Sequence, residues 1–163
     1  MKRFIILLLL CCLLLSGCNI SGERIKEPVL FYYVRSEYQY FTQDGVIASE
    51  EHEASGHRED LSYLLALYLM GPAEEELTSP LPRGTKIQKA EQTPEGSQLQ
   101  LSCHDDALTD ADFSLACACL ALTCFGLTDA DTVTISIAER SITMGRDTLT
   151  IYDSSAAAVE ETQ

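Results

Sequence analysis

The side chains that could do chemistry are seven cysteines, three histidines and an excess of carboxylates. Cys103, His104 and Asp105 place a thiol, an imidazole and a carboxylate in a row, which are the groups of a cysteine hydrolase. A nucleophilic thiol must meet its histidine in space, but adjacent residues at a strand end usually point apart. The sequence around the thiol also lacks the signatures of such enzymes. We therefore interpret the tripeptide as a strand-to-helix loop and predict no catalytic residue.

Three further cysteines, Cys117, Cys119 and Cys124, lie on one predicted helix. Positions 117 and 119 project about 200° apart, and positions 117 and 124 lie roughly 10 Å apart, so neither pair can form a disulfide. The spacing also differs from that of zinc sites. We expect small buried thiols, with a possible bridge from Cys103 to one of them in an oxidising compartment.

Residues 50–57 collect carboxylates and two histidines, His52 and His57, in a segment predicted to be a polar loop. Such groups can bind a cation, but scattered on a loop they are usually solvated. The aspartates of residues 105–112 lack the glycine and terminal glutamate of a calcium loop. We predict no metal and no cofactor.

The charge excludes two classes of function. The 163 residues include 11 basic and 25 acidic side chains, for a formal net charge of −14. Such a surface repels phosphate backbones, so nucleic acid is not an expected partner. It also repels anionic lipid headgroups, so attachment to a membrane requires another anchor.

The first 17 residues have the pattern of a signal peptide. A positive start at residues 1–3 precedes an apolar run of 12 residues, shorter than the roughly 17–25 of a spanning helix. Residues 15–18, Leu-Ser-Gly-Cys, resemble the lipobox of bacterial lipoproteins, in which Cys18 is acylated after cleavage. Two acyl chains would hold the acidic chain at a membrane. The alternative is an ordinary secretory signal with a cysteine nearby.

The remaining 146 residues suffice for one domain. We expect a polar tether over residues 18–27 and a folded domain over residues 28–152. Residues 153–163 are small and acidic and are predicted to be disordered.

Hydrophobic periodicity predicts two helices. Apolar spacings of three and four indicate the first over residues 58–70, and Gly71 and Pro72 end it. The second covers residues 110–124, with Gly126 just past its end.

Strands are predicted at residues 29–34, 38–41, 46–48, 87–92, 97–102 and 133–137. Turns are predicted at Asp44-Gly45 and at Gly145-Arg146, and the second would set Ile142 opposite Leu149. This order predicts a small α+β sandwich, with two helices on one face of a mixed or antiparallel sheet.

Two stretches resemble the GerMN domain of the sporulation and spore-germination family. Residues 64–72, Leu-Leu-Ala-Leu-Tyr-Leu-Met-Gly-Pro, are similar to its leucine-rich helix and Gly-Pro stop. Ser79 and residues 81–85, Leu-Pro-Arg-Gly-Thr, resemble its Ser…Ile-Pro-x-Gly-Thr loop. Further similarities, at Leu101-Ser102, Leu122-Thr123 and residues 133–137, follow in the family's order, so the match covers about residues 29–138. Gln100 stands where the family often has an acidic residue, the second helix is unusually rich in cysteine, and only one copy is present.

The resemblance implies a non-catalytic module, similar to ring-building motifs, that scaffolds envelope proteins outside the cytoplasmic membrane, with self-association also suggested. The residues that carry it, Gly71, Pro72, Pro82, Gly84 and Thr85, are interpreted as structural, because no glycine-rich loop precedes a helix. The alternative function is a sensing lipoprotein, in which residues 50–59 or the edge containing Tyr32, Tyr33, Tyr38 and Tyr40 bind a small molecule or cation.

Overall fold

The structure, a computed structural model, describes residues 27–37, 45–103 and 108–149. Cys18, the signal segment, Asp44, His104, Asp105 and the acidic tail lie outside the described residues.

The described residues form one α+β domain, as predicted. Its elements in chain order are β1 (Pro28–Arg35), β2 (Ile47–Glu53), α1 (Leu61–Tyr68), β3 (Leu77–Thr78), β4 (Lys86–Thr93), β5 (Gly96–Ser102), α2 (Asp110–Leu127), β6 (Thr132–Ile137) and β7 (Arg140–Gly145). A short 3₁₀ turn, Arg146–Thr148, follows β7.

The strands are divided between two sheets. The smaller sheet has the order β2-β1-β3 and is antiparallel, and the larger has the order β4-β5-β6-β7. Within the larger sheet β5 and β6 are parallel, and the other two pairings are antiparallel. A parallel pair needs a long crossover, which α2 supplies. Because α2 contacts β1 as well as β6, it joins the two sheets.

Helix α2 is the centre of the core. Thr109 caps its start by accepting a hydrogen bond from the Asp112 backbone N–H at 3.2 Å. Its mean hydropathy of 1.5 and 18 residues would suffice for a membrane span, but half of it is buried inside the domain. Its apolar character is therefore explained by packing against both sheets. The helix runs past the predicted end, since Gly126 lies inside it and Thr128 caps it through the Cys124 carbonyl.

Two sequence predictions about the strands are wrong. Residues 50–53 belong to β2, because all seven β2 residues pair with β1 despite their polarity. The last hairpin turns at Ala138-Glu139, so Ile142 faces Ile135 and not Leu149. Gly145 has a φ of −95° and only ends β7. The register that buries apolar residues of β7 against β6 prevails over the local turn signal.

Candidate functional site

The Gly-Pro segment after α1 forms a chain reversal. The backbone N–H groups of Met70 and Gly71 donate to the carbonyls of Leu67 and Tyr68, at 3.0 and 3.1 Å. Gly71 has a φ of +91°, a conformation that residues with a Cβ rarely adopt. The helix itself ends at Tyr68, and Gly71 and Pro72 lie in the reversal that follows it.

The Pro-x-Gly-Thr segment forms a second turn, which leads into β4. Thr85 donates to the Pro82 carbonyl through both its backbone N–H, at 3.2 Å, and its hydroxyl, at 2.7 Å. Gly84 has a φ of +84°. Ser79 accepts a hydrogen bond from the Leu81 backbone N–H at 3.3 Å. These residues therefore close a compact turn in front of β4.

A buried glutamate, which the sequence analysis placed on a loop, fixes the first turn. Glu50 is only 6% exposed, and its carboxylate accepts hydrogen bonds from the backbone N–H groups of Ala73 and Glu74, each at 2.9 Å. The Nε2 atom of His52 lies 2.9 Å from the second carboxylate oxygen. A buried carboxylate is costly unless it is hydrogen-bonded, and this one has three donors. Glu50 pairs with Phe31 of β1, and this pairing is the one feature that could have distinguished it from the other acidic residues nearby.

Aromatic rings surround this glutamate. Tyr33 and Tyr68 stack with centroids 4.8 Å apart, and Phe31 lies 4.6 Å from the His52 ring. The Tyr33 hydroxyl donates to the Tyr68 carbonyl at 3.0 Å, and the Tyr68 hydroxyl donates to the Tyr32 carbonyl at 3.1 Å. Burial raises the pKa of both tyrosines, and the Glu50 charge raises the pKa of Tyr33 further. Both hydroxyls are therefore neutral donors with a structural role.

This arrangement alters the predicted tyrosine edge. Tyr33 is fully buried in the core beside Phe31, so it cannot contribute to a docking edge. Tyr38 and Tyr40 lie outside the described residues.

The two histidines proposed for a cation are separated. His52 contacts Glu50, whereas the His57 ring stacks on Tyr63 at 4.2 Å. Within the described ranges, no group of three or more histidine, cysteine or acidic side chains could hold a metal ion.

The cysteines of α2 are free, fully buried thiols. Burial raises the pKa of Cys117, Cys119 and Cys124 to about 12, so their nucleophilic thiolate form is disfavoured. None of them forms the bridge to Cys103 that the sequence left open. Cys103 is partly buried at the end of β5, and its predicted neighbours in a hydrolase site are not described.

Two arginines that the sequence analysis did not single out hold the ends of α2. Arg146 donates to the carbonyls of Phe125, Thr128 and Ala130 at 3.1, 3.0 and 2.9 Å. At the other end, Arg140 donates to the Leu108 carbonyl and Asp110 carboxylate, both at 2.9 Å. Its guanidinium also lies 3.9 Å from the centroid of the Phe113 ring.

Two open grooves contain a further arginine, Arg58, and one of them also contains Arg146. One, of about 770 Å³, is lined by residues that include His57, Arg58 and Gln92. Another, of about 860 Å³, shares Arg58 and Gln92 and extends to Arg146. Arg58 already donates to the Pro28 carbonyl at 2.9 Å. The cations of these grooves therefore organise the main chain.

Comparison with known proteins gives structural matches only. No protein-family model matches the chain, and no curated protein matches it. The first GerMN domain of the sporulation protein GerM from Bacillus subtilis has 12% identity and a TM-score of 0.49, covering 72% of this chain and 86% of that one. The chain is similar to GerMN domains at low sequence identity.

Two further solved structures match. The tandem GerMN domains of GerM have 16% identity and a TM-score of 0.48, covering 77% of this chain and 43% of that one. A "Putative Lipoprotein" from Clostridium perfringens has 14% identity and a TM-score of 0.45, covering 77% of this chain and 95% of that one.

Proposed function

We propose that this chain is an extracytoplasmic lipoprotein, anchored through Cys18, whose domain binds cell-envelope proteins and holds them at the membrane. The observation that carries the proposal is that the residues of the GerMN-like sequence motif form backbone turns. Gly71 and Gly84 take positive φ, and Thr85 closes a turn on Pro82. Residues that define shape are what a binding module needs, and the module then acts through its surface.

The anchor follows from sequence and charge together. Residues 15–18 have the lipobox pattern, and acylation of Cys18 would supply a membrane attachment independent of electrostatics. Without it, a chain with 25 acidic side chains would be repelled by anionic lipids.

A partly apolar face of α1 is the surface best suited to a protein partner. Tyr63 and Ala66 are exposed on one side of α1, three residues apart, and Met70 is exposed in the turn just past the end of the helix. We call these three residues the α1 face. Met70 is 82% exposed and Tyr63 is 37% exposed. Tyrosine and methionine are enriched at protein interfaces, and this α1 face combines them.

The proposal is tested by in-cell crosslinking and affinity capture of the detergent-solubilised protein, followed by mass spectrometry. Defined membrane proteins should be enriched with the parent chain and lost with Cys18→Ala. The double variant Tyr63→Ser and Met70→Ser should also lose them, whereas the matched control Ser62→Ala should retain them. Recovery of the anchored parent chain alone would contradict the scaffold function.

Among the residues that the structure describes, no contact favours the sensing alternative. The Glu50 carboxylate, the least exposed acidic group of the proposed cation loop, is engaged by Ala73, Glu74 and His52. A cation would have to displace these donors, which stabilise the Gly-Pro turn.

A further inference from the structure

The outer face of the four-stranded sheet differs chemically from the rest of the molecule. The inner side chains of β5 and β6, such as Leu99 and Ile135, are buried under the helices. The outer side chains fall into register across β5, β6 and β7 in two rows, Gln98-Thr134-Thr143 and Gln100-Ser136-Ser141. We call these six residues the hydroxyl-amide face. Neighbouring strands lie about 4.8 Å apart, and the two rows lie about 6.7 Å apart.

The hydroxyl-amide face is neutral on a strongly acidic chain. None of its six residues is charged, although the chain carries 25 acidic side chains. On β4 the two rows continue with Glu91 and Lys89, which form an ion pair at 2.8 Å and so neutralise each other. A polyanion would therefore find no unpaired cation in these rows and would be repelled by the surrounding surface.

The hydroxyl groups are held in place before any ligand arrives. The Oγ1 atoms of Thr134 and Thr143 lie 2.9 Å apart, as do the Oγ atoms of Ser136 and Ser141. Each pair uses one of its two hydroxyl hydrogens, which leaves one donor and several lone pairs for a ligand. Short side chains that are already paired lose little rotamer freedom on binding.

Chemistry and size argue against a protein at this face. Protein interfaces draw most of their energy from buried aromatic, arginine and other anchor side chains, and the hydroxyl-amide face has none. Its two rows span roughly 10 Å by 7 Å, far below the about 800 Å² per partner of a stable complex. An array of groups that both donate and accept hydrogen bonds matches a partner with the same property, such as a sugar chain.

We propose that the hydroxyl-amide face binds a neutral polysaccharide, laid across β5, β6 and β7 so that its hydroxyl groups meet both rows. The proposal does not depend on the α1 face or on protein scaffolding. A sugar chain without charge meets no electrostatic penalty at this acidic protein, and Gln98 and Gln100 supply amide donors and carbonyl acceptors.

The test is native affinity electrophoresis of the detergent-solubilised full chain in gels containing a neutral glycan, either soluble glycol chitin or hydroxyethyl cellulose. Dextran sulfate serves as the polyanion. At least one neutral glycan should retard the parent chain. The double variant Gln98→Glu and Gln100→Glu, which removes four amide donors and adds two charges, should bind at least tenfold more weakly.

A second double variant controls for the effect of the added charge. Ser141→Ala with Thr143→Val removes two hydroxyl groups from β7 without changing charge, and should weaken retardation several-fold while the circular dichroism spectrum is unchanged. Ser62→Ala, at an exposed position of α1 that is not part of the hydroxyl-amide face, is the matched control and should bind like the parent chain. Lack of retardation by either neutral glycan, equal retardation of the folded variants, or retardation by dextran sulfate alone would overturn the proposal. Loss of captured proteins, without loss of glycan binding, in these variants would also overturn it.

Discussion

At the scale of single residues, the most informative side chain is a buried glutamate in a polar strand. Glu50 ties β2 to the turn that follows Gly71 and Pro72, through the backbone N–H groups of Ala73 and Glu74. A residue of this kind is invisible to periodicity, because its neighbours Glu51 and Glu53 have the same type and are exposed.

Glu50→Gln tests this role. The glutamine oxygen can still accept from the Ala73 and Glu74 N–H groups, but these hydrogen bonds lose the help of a negative charge. The amide nitrogen, which cannot accept a hydrogen bond, would face His52 and require its Nε2 atom to act as the acceptor. We expect the free energy of unfolding to fall by about 1–3 kcal/mol, measured by urea denaturation. Glu51→Gln, one residue away and exposed, should change it by less than about 0.5 kcal/mol. Equal denaturation midpoints for both variants would show that the three contacts of Glu50 contribute no net stability.

Substitutions at two glycines separate the cost of an unfavourable backbone conformation from the cost of steric overlap. An alanine Cβ at Gly71 would meet nothing within 4 Å, so Gly71→Ala carries only the cost of a positive φ, about 1–2 kcal/mol. At Gly96, where φ is +143°, the same Cβ would overlap the carbonyl oxygen and hydroxyl of Thr132. Thermal denaturation should therefore show a larger loss of stability for Gly96→Ala, and the reverse order would contradict the packing described here.

At the scale of elements, α2 depends on its C-terminal cap. Arg146 binds three carbonyls around the end of the helix, where a positive charge is also favoured by the helix dipole. Arg146→Gln should lower the free energy of unfolding by roughly 1–3 kcal/mol. Arg146→Lys should restore only part of it, because an ammonium cannot reproduce the planar contacts. The exposed Arg83→Gln is the control, and complete rescue by lysine would show that charge alone matters.

Because of the α2 thiols, we expect the free energy of unfolding to depend on pH in the alkaline range. Each has a pKa raised to about 12 by burial, whereas in the unfolded chain the thiol ionises near pH 8.5–9. Between these values the unfolded state binds fewer protons than the native state, so stability falls as pH rises. The full contribution is present below about pH 8.5 and is lost progressively as the pH rises from there toward 12.

Urea denaturation at pH 7 and at several values above pH 9 measures this slope. Cys124→Ala should reduce it, and comparison with the same variant at pH 7 removes the constant effect of lost packing. Cys117 and Cys119 remain in this variant, and with Tyr33 and Tyr68, whose pKa values are also raised, they should leave a residual slope. An unchanged slope would contradict the burial of this thiol.

The elements that the sequence predicts well are those whose local signals agree with their tertiary surroundings. Helix α1 has both apolar spacing and a Gly-Pro stop, and β6 alternates between buried and partly exposed residues. The failures occur where a distant partner decides. Strand β2 forms because β1 supplies a ladder for its polar residues, and the last hairpin follows the register between β6 and β7. The contacts of Glu50 and Arg146 join segments 23 and 21 residues apart, beyond the reach of any local pattern.

At the scale of the whole molecule, the negative net charge determines what kind of membrane anchor the chain would need. The chain has a net charge of −14, and removal of residues 1–17 would also remove two basic side chains. Electrostatic attraction to an anionic membrane is therefore absent, and retention would depend on acyl chains at Cys18. Salt screens charges within about 10 Å at 0.1 M, but it does not weaken the burial of hydrocarbon.

This contrast gives a prediction for membrane fractionation. The full chain, expressed in a bacterium with lipoprotein processing, should remain with the membrane pellet in 1 M sodium chloride and enter solution only with detergent. Cys18→Ala should be found in the soluble extracytoplasmic fraction or remain unprocessed, and Cys103→Ala, which leaves the lipobox intact, should behave like the parent chain. Release of the parent chain by salt alone would mean that a charged partner, and not a lipid, holds this acidic domain at the membrane.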